Sequence, residues 1–182
     1  MPAAAVPEPL TARLRCLRPT PGDAAGYRAL LLDPAVQHWL RPRPLQPMHA
    51  EQAEEILTRD VRHWAEHGYG PWLLRDRGTD ALVGRAGLSW TTATGEFAVE
   101  LAWALLPDRW GAGLATEAAR AAVARARSLG IDEVVAFTVP TNLASRRVVE
   151  KAGLRYERDF EHVGLPHVLY RLPPPGGSPA TA

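Results

Sequence analysis

Cysteine is almost missing from this sequence: Cys16 is the only one in 182 residues. A single thiol excludes an intrachain disulfide framework and any zinc site built on clustered cysteines. Lysine is as scarce, since Lys151 stands alone among 21 basic residues and the rest are arginine. There is no excess of either charge. The basic residues face 20 acidic ones for a net charge of +1, which excludes a broad basic footprint for nucleic acid and a polybasic membrane anchor. No apolar run approaches the ~18 residues of a membrane span. The opening MPAAAVPEP has no charged region ahead of its short apolar run, so no signal peptide is expected and the cytoplasm is the default compartment. What is there is an ordinary globular composition, 46% hydrophobic and 23% charged. A chain of this length buries roughly 70% of its unfolded surface as one domain, with no need of disulfide or metal.

The periodicity divides the chain. Residues 1–10 are rich in Ala and Pro and are expected to be a flexible N-terminus; 173–182, ending PPPGGSPATA, are expected to be a disordered tail. The domain is expected over 11–172. A first strand is read at 12–18, where Leu14 and Cys16 alternate with arginines, and a helix from Pro21 to about Leu32. Prolines at 34, 42, 44 and 47 break the next stretch. Helical spacing returns over 49–67 and Gly68 takes the C-cap position. Strands at about 71–76, 81–91 and 96–106 read as an antiparallel meander. A long helix at 114–129 ends before Gly130. Val134 to Val139 is apolar on both faces, which predicts a central, fully covered strand. A short helix at 142–152 and strands at about 154–162 and 166–172 complete a mixed sheet with helices on its faces.

The segment Trp110-Gly111-Ala112-Gly113-Leu114-Ala115-Thr116-Glu117 joins a strand to the start of the long helix. Two glycines permit a turn whose backbone N–H groups converge. With the helix dipole behind them, they can hold a phosphate or pyrophosphate. No Lys closes the turn, so it is not a Walker A loop. A dinucleotide fingerprint needs a carboxylate at the C-terminal end of the next strand, whereas Asp132 and Glu133 precede it. A tight strand–helix turn with no ligand stands beside the anion-binding reading. Upstream, Phe97, Val99, Leu101, Trp103 and Leu105 share one strand face, and Ala98, Glu100, Ala102 and Ala104 share the other. A carboxylate over an Ala-lined groove loses hydration, which raises its pKa and makes it a usable base near neutral pH. The same spacing also suits Glu100 as the ion-pair partner of an arginine. Asn142 suits an N-cap and Ser145 an ordinary first helical turn, so spacing alone gives neither a function.

Together, Glu100 to Trp103 (ELAW), Pro107 to Ala118 (PDRWGAGLATEA) and Asn142 to Leu154 (NLASRRVVEKAGL) resemble the GNAT superfamily of acyl-CoA-dependent N-acyltransferases. The likeness is greatest to its ribosomal-protein N-terminal alanine/serine acetyltransferase branch. It spans about residues 11–172, and its specific part is 100–154. The resemblance implies an α/β fold of mixed α+β type: a single domain with a mostly antiparallel sheet of six to seven strands, splayed at the acyl-CoA site, with helices on both faces. It implies acetyl-CoA as cosubstrate and no metal. The backbone of Gly111, Ala112, Gly113, Leu114, Ala115 and Thr116 would cradle the pyrophosphate, with Trp110, Leu105, Asn142, Ser145 and Arg147 around the cofactor. It further implies Glu100 as general base and Ser145 as proton donor to the leaving thiolate. There are departures. The turn opens with Trp110 where the superfamily has Gln or Arg, and the Tyr that many members use as proton donor falls at Val149.

On that resemblance the expected function is transfer of an acetyl group to a primary amine on a protein or peptide N-terminus. An alternative is acetylation or succinylation of a small amine such as an antibiotic, polyamine or amino acid. Near-neutral charge does not favour a large RNA-bound target. A non-catalytic acyl-CoA-binding module is the third reading, with Glu100 and Ser145 against it. No direct nucleic-acid or membrane partner is expected, and a homodimer is left open. Other constellations carry less. His63-Trp64-Ala65-Glu66-His67 matches a zinc signature but falls in the last helical turn, where histidine is favoured anyway. Trp39, Trp64, Trp72 and Trp90 are candidates for an acceptor pocket, although a structural place is the commoner one for any single tryptophan, and Trp103 for the core. The family usually shapes acceptor specificity with the loop equivalent to 34–48, a stretch that from sequence reads equally as an ordinary surface connection. Arg120, Arg125 and Arg127 read as a solvated face, and Arg146 and Arg147 as neighbours of the phosphates.

Overall fold

A computed structural model describes residues 11–174; the expected flexible N-terminus, and all but two residues of the expected tail, lie outside the described residues. The elements run β1 (Leu14–Leu17), α1 (Ala24–Leu31), α2 (Pro34–Leu40), α3 (Ala50–His67), β2 (Pro71–Asp76), β3 (Leu82–Thr91), β4 (Ala98–Leu105), α4 (Leu114–Ser128), β5 (Val134–Thr138), α5 (Leu143–Lys151), β6 (Arg155–His162) and β7 (Leu165–Arg171). Seven strands form one sheet in the order β1-β2-β3-β4-β5-β7-β6. Every neighbouring pair is antiparallel except β4 and β5, which α4 connects as a parallel crossover. The meander and the long helix lie where the periodicity places them. The 34–48 stretch does not read as a simple break: Pro34 opens α2, and the Asp33 carboxylate accepts from the N–H groups of Ala35 and Val36. Proline at the first helical position loses no intrahelical bond, so it starts a helix as readily as it stops one.

The alternation of β4 separates two cores. Val99, Leu101 and Leu105 pack with Ala118, Ala119 and Ala122 of α4. The small alanine side chains let the helix approach the sheet. On the other face Ala104 packs with Tyr27, Val36 and Leu57 from α1, α2 and α3. A third small cluster joins Ala98 to Val135 and Leu169, with Phe137 and Phe160 against it. Ala98, Glu100, Ala102 and Ala104 therefore share a sheet face with Val135 and Phe137, across from α4.

Candidate active site

The β4–β5 ladder has two pairs, Val99 with Val134 and Glu100 with Val135, and none further along among the described residues. Val99 donates its N–H to the Glu133 carbonyl at 3.1 Å. Two-residue alternation then turns the backbone edges of Leu101, Trp103 and Leu105 to the same side. From Glu100 onward the β4–β5 ladder has no further pair among the described residues, while β5 stays paired to β7 along its other edge as far as Thr138. A cleft of about 760 Å³ fills the gap beyond the last pair. Glu100 lies at its vertex.

At the open end, Gly111 and Gly113 hold φ of 74° and 77°, a left-handed conformation that glycine adopts without a Cβ penalty. Gly113 is the N-cap of α4 and no side chain caps the helix. Its first N–H groups are therefore left to a ligand, and Gly113 to Thr116 all line the cleft. The turn is braced from outside. Glu117 accepts from the Thr11 hydroxyl at 2.6 Å, the Arg13 N–H at 2.7 Å and Arg13 Nε at 2.7 Å, while Arg13 Nη1 donates to the Ala112 carbonyl at 2.8 Å. Trp110 donates its indole N–H to the Leu105 carbonyl at 2.8 Å and so folds the turn back on β4.

The cleft brings together Glu100, Leu105, Trp110, Gly111, Gly113, Leu114, Ala115, Thr116, Asn142, Ser145 and Arg147. Of the expected residues only Ala112 stands outside it, bound to Arg13 instead. Asn142 is buried and its Oδ1 accepts the Ser145 N–H at 3.1 Å, so it is an N-cap as well as a cleft residue. Val149, which cannot donate a proton, is also at the wall. Arg146 turns away, to the Tyr170 hydroxyl at 3.0 Å and the Pro140 carbonyl at 3.2 Å. Of the tryptophan candidates Trp39 lines the cleft. Trp72 is core, Trp64 donates to the Pro71 carbonyl and Trp90 stacks on His67. Trp103 packs against the core and also reaches the cleft. Strand β5 is covered only over its first three residues, because Phe137 and Thr138 face the opening.

No arginine is within 4.0 Å of Glu100 among the described residues, so the ion-pair alternative is not what the fold builds. The arginine on that face, Arg85 of β3, is held by Asp60 at 2.5 and 2.8 Å, and Tyr27 donates to Asp60 at 2.8 Å. Burial pushes the Glu100 carboxyl above its ordinary value, against the opposing charges of Arg85 and Arg59 and the hydroxyl of Thr91. In the zinc-like motif, His63 Nδ1 meets the Tyr69 carbonyl at 2.8 Å and Nε2 accepts the Trp90 N–H at 3.2 Å. Both nitrogens are used by the protein, and burial lowers its pKa. Periodicity missed the buried triad and the far wall of Phe137, His162 and His167. Asp60 did leave a signal: it sits three residues after Leu57 and four before Trp64, on the apolar stripe of its helix.

A splayed parallel pair, a glycine turn at a bare helix N-terminus and a carboxylate without an ion pair thus meet in one cleft. The chain belongs to the GNAT acetyltransferases, since the profile of the acetyltransferase (GNAT) domain family matches residues 13–155, and it is an N-acetyltransferase. The uncharacterized protein YkkB of Bacillus subtilis strain 168 is 28% identical over 168 residues, 87% of this chain and 90% of YkkB. A solved structure from Bordetella pertussis, assigned to the GNAT-family acetyltransferases, superposes with TM-score 0.76 at 25% identity, covering 90% of this chain and 98% of that one. At lower identity the fold is shared with the ribosomal L7/L12 alpha-N-protein acetyltransferase RimL in complex with coenzyme A (16%, 90% and 96% covered, TM-score 0.72). It is also shared with the aminoglycoside acetyltransferase AAC(6')-Ib in complex with coenzyme A (20%, 88% and 93% covered, TM-score 0.66).

Proposed function

We propose that the protein transfers the acetyl group of acetyl-CoA to the α-amine of a protein or peptide N-terminus, with Glu100 as general base. The observation that carries this reading is the place of Glu100, the last β4 residue paired to β5, where the cleft begins. The pyrophosphate would rest on the free N–H groups of the turn and first helical turn, from Gly111 to Thr116, where positive φ and the helix dipole favour an anion. Arg147, at the same wall, would add charge. Leu105, Trp110 and Asn142 would bound the thiol-bearing arm, which enters between β4 and β5.

An alkylamine arrives protonated at neutral pH and must lose that proton before it attacks. Glu100, whose proton affinity burial has raised, takes it, directly or through water, and passes it to solvent. The amine lone pair then attacks the thioester carbon. Charge on the thioester oxygen is met by a β4 backbone N–H in the gap. The C–S bond breaks and the sulfur leaves as a thiol with a proton from Ser145, while the second amine proton passes through Glu100 and water back to the Ser145 oxygen. The net release is one proton.

Titration with acetyl-CoA by calorimetry, followed by Glu100→Gln kinetics, tests this. One-to-one micromolar binding is expected, retained in the variant, with kcat lowered at least about 10²-fold. Unchanged product formation by Glu100→Gln removes the base assignment. Absence of binding by folded protein removes the cosubstrate.

A further inference from the structure

The cleft has two halves, and the second is not explained by cosubstrate chemistry. One half is the glycine turn, α4 and α5. The other lies on the sheet face that bears Glu100. There, Trp39, Leu40, Pro42 and Leu45 of α2 and the loop after it line the same space as Val163 and Leu165 of the β6–β7 hairpin. Leu40 and Val163 remain 40% and 58% exposed, so apolar surface is left open at this end. Glu100 pairs with Val135, and Phe137 is two residues on along the same face of β5. The Phe137 ring is 5.3 Å from His162 and 5.8 Å from His167, and the two imidazoles are 5.5 Å apart. The far wall is thus aromatic, with ring nitrogens as its polar atoms. Burial, then the neighbouring His167, lowers the pKa of His162.

The charge census is one-sided. Among the described residues that line the cleft, Glu100 is the one carboxylate, against Arg41, Arg109, Arg147 and Lys151. An anionic cosubstrate suits that balance. A second ammonium or guanidinium on the acceptor does not: Glu100 is committed to the reacting nitrogen, and any other cation would lose hydration against apolar walls without a counter-charge.

We infer that the acceptor half selects a primary amine whose neighbouring group is apolar and carries no second positive charge; on the peptide reading above, on which this rests, that group is the first side chain. The His162 ring and the His167 Nε2, left over from the contact of Nδ1 with the Leu165 carbonyl at 3.0 Å, can then meet the polar atoms of the following peptide unit.

The test is acetylation of four amines, with the α-acetylated product identified by mass spectrometry. The peptides Phe-Ser-Gly-Ala and Arg-Ser-Gly-Ala are paired, as are phenethylamine and spermidine. The uncharged member of each pair is expected to have kcat/KM higher by about tenfold or more. Leu45→Glu, which adds a carboxylate to this wall at a half-exposed position, is expected to shrink that ratio while a variant merely loosened in structure slows both members alike. Equal or reversed preference for the Arg peptide or spermidine overturns the inference and leaves the enzyme assignment standing. Turnover of phenethylamine over spermidine with neither peptide acetylated supports the inference and removes the peptide reading alone. Turnover of none of the four overturns both.

Discussion

Two carboxylates lie on the same side of the sheet and meet opposite fates. Asp60 is 1% exposed. It is filled on every side: Arg85 grips it with two N–H groups, Tyr27 donates a hydroxyl hydrogen bond, and Arg59 lies 3.9 Å away. Glu100 has the cleft in front of it and no ion pair. Burial with a complete set of partners makes a side chain part of the structure. Burial with only the Thr91 hydroxyl and more distant arginines to offset it leaves it with a raised proton affinity, and that is a chemical property. Asp60 also removes the nearby guanidinium that would otherwise compete for the base.

The strongest way to break this contrast is Asp60→Asn, which leaves Arg85 buried without its counter-charge. The expected cost is about 3–5 kcal/mol in urea denaturation. Arg85→Met in the same chain should recover part of it, because the stranded cation is then gone. Glu100→Gln should act in the reverse sense on stability. Its carboxyl has a folded pKa above the unfolded one, so its penalty is absent below the unfolded value and grows as pH rises through the folded value. Thermal melts at neutral pH should show a higher Tm for Glu100→Gln, and the gain should vanish toward pH 4. The same shift appears in catalysis: the acid limb of the kcat/KM profile should lie above the usual glutamate value of about 4.3 and be absent from the residual rate of Glu100→Gln. The smallest effect belongs to the turn. Gly113→Ala, at φ 77°, should cost about 1 kcal/mol of stability and weaken acetyl-CoA binding more than it changes kcat.

How much of this was legible in the sequence depends on the range of the interaction. The meander, the α4 turn and the two faces of β4 follow from patterns within ten or twenty residues, so Glu100 could be singled out with its alanine floor. The family resemblance supplied the roles that spacing could not. The α2 helix was hidden because proline signals both a helix start and a helix break. The triad was hidden for a different reason. Asp60 finds partners 25 and 33 residues away in sequence, and a helical stripe shows that a position is buried without showing what meets it. The His162–His167 wall depends on β7 inserting between β5 and β6, a strand order that no local pattern dictates. Arg146 and Arg147 are adjacent in a helix and so point about 100° apart, which is why one reaches the cleft and the other caps Tyr170.

The Glu117 carboxylate gathers Thr11, Arg13 and, through Arg13, the Ala112 carbonyl into one knot behind the glycine turn. Glycines give a chain many shapes, and a turn free to explore them would have to be stilled by each incoming anion. Here the shape is settled when the N-terminal strand docks on α4. The ordering entropy is therefore spent once per folding event, instead of once per turnover.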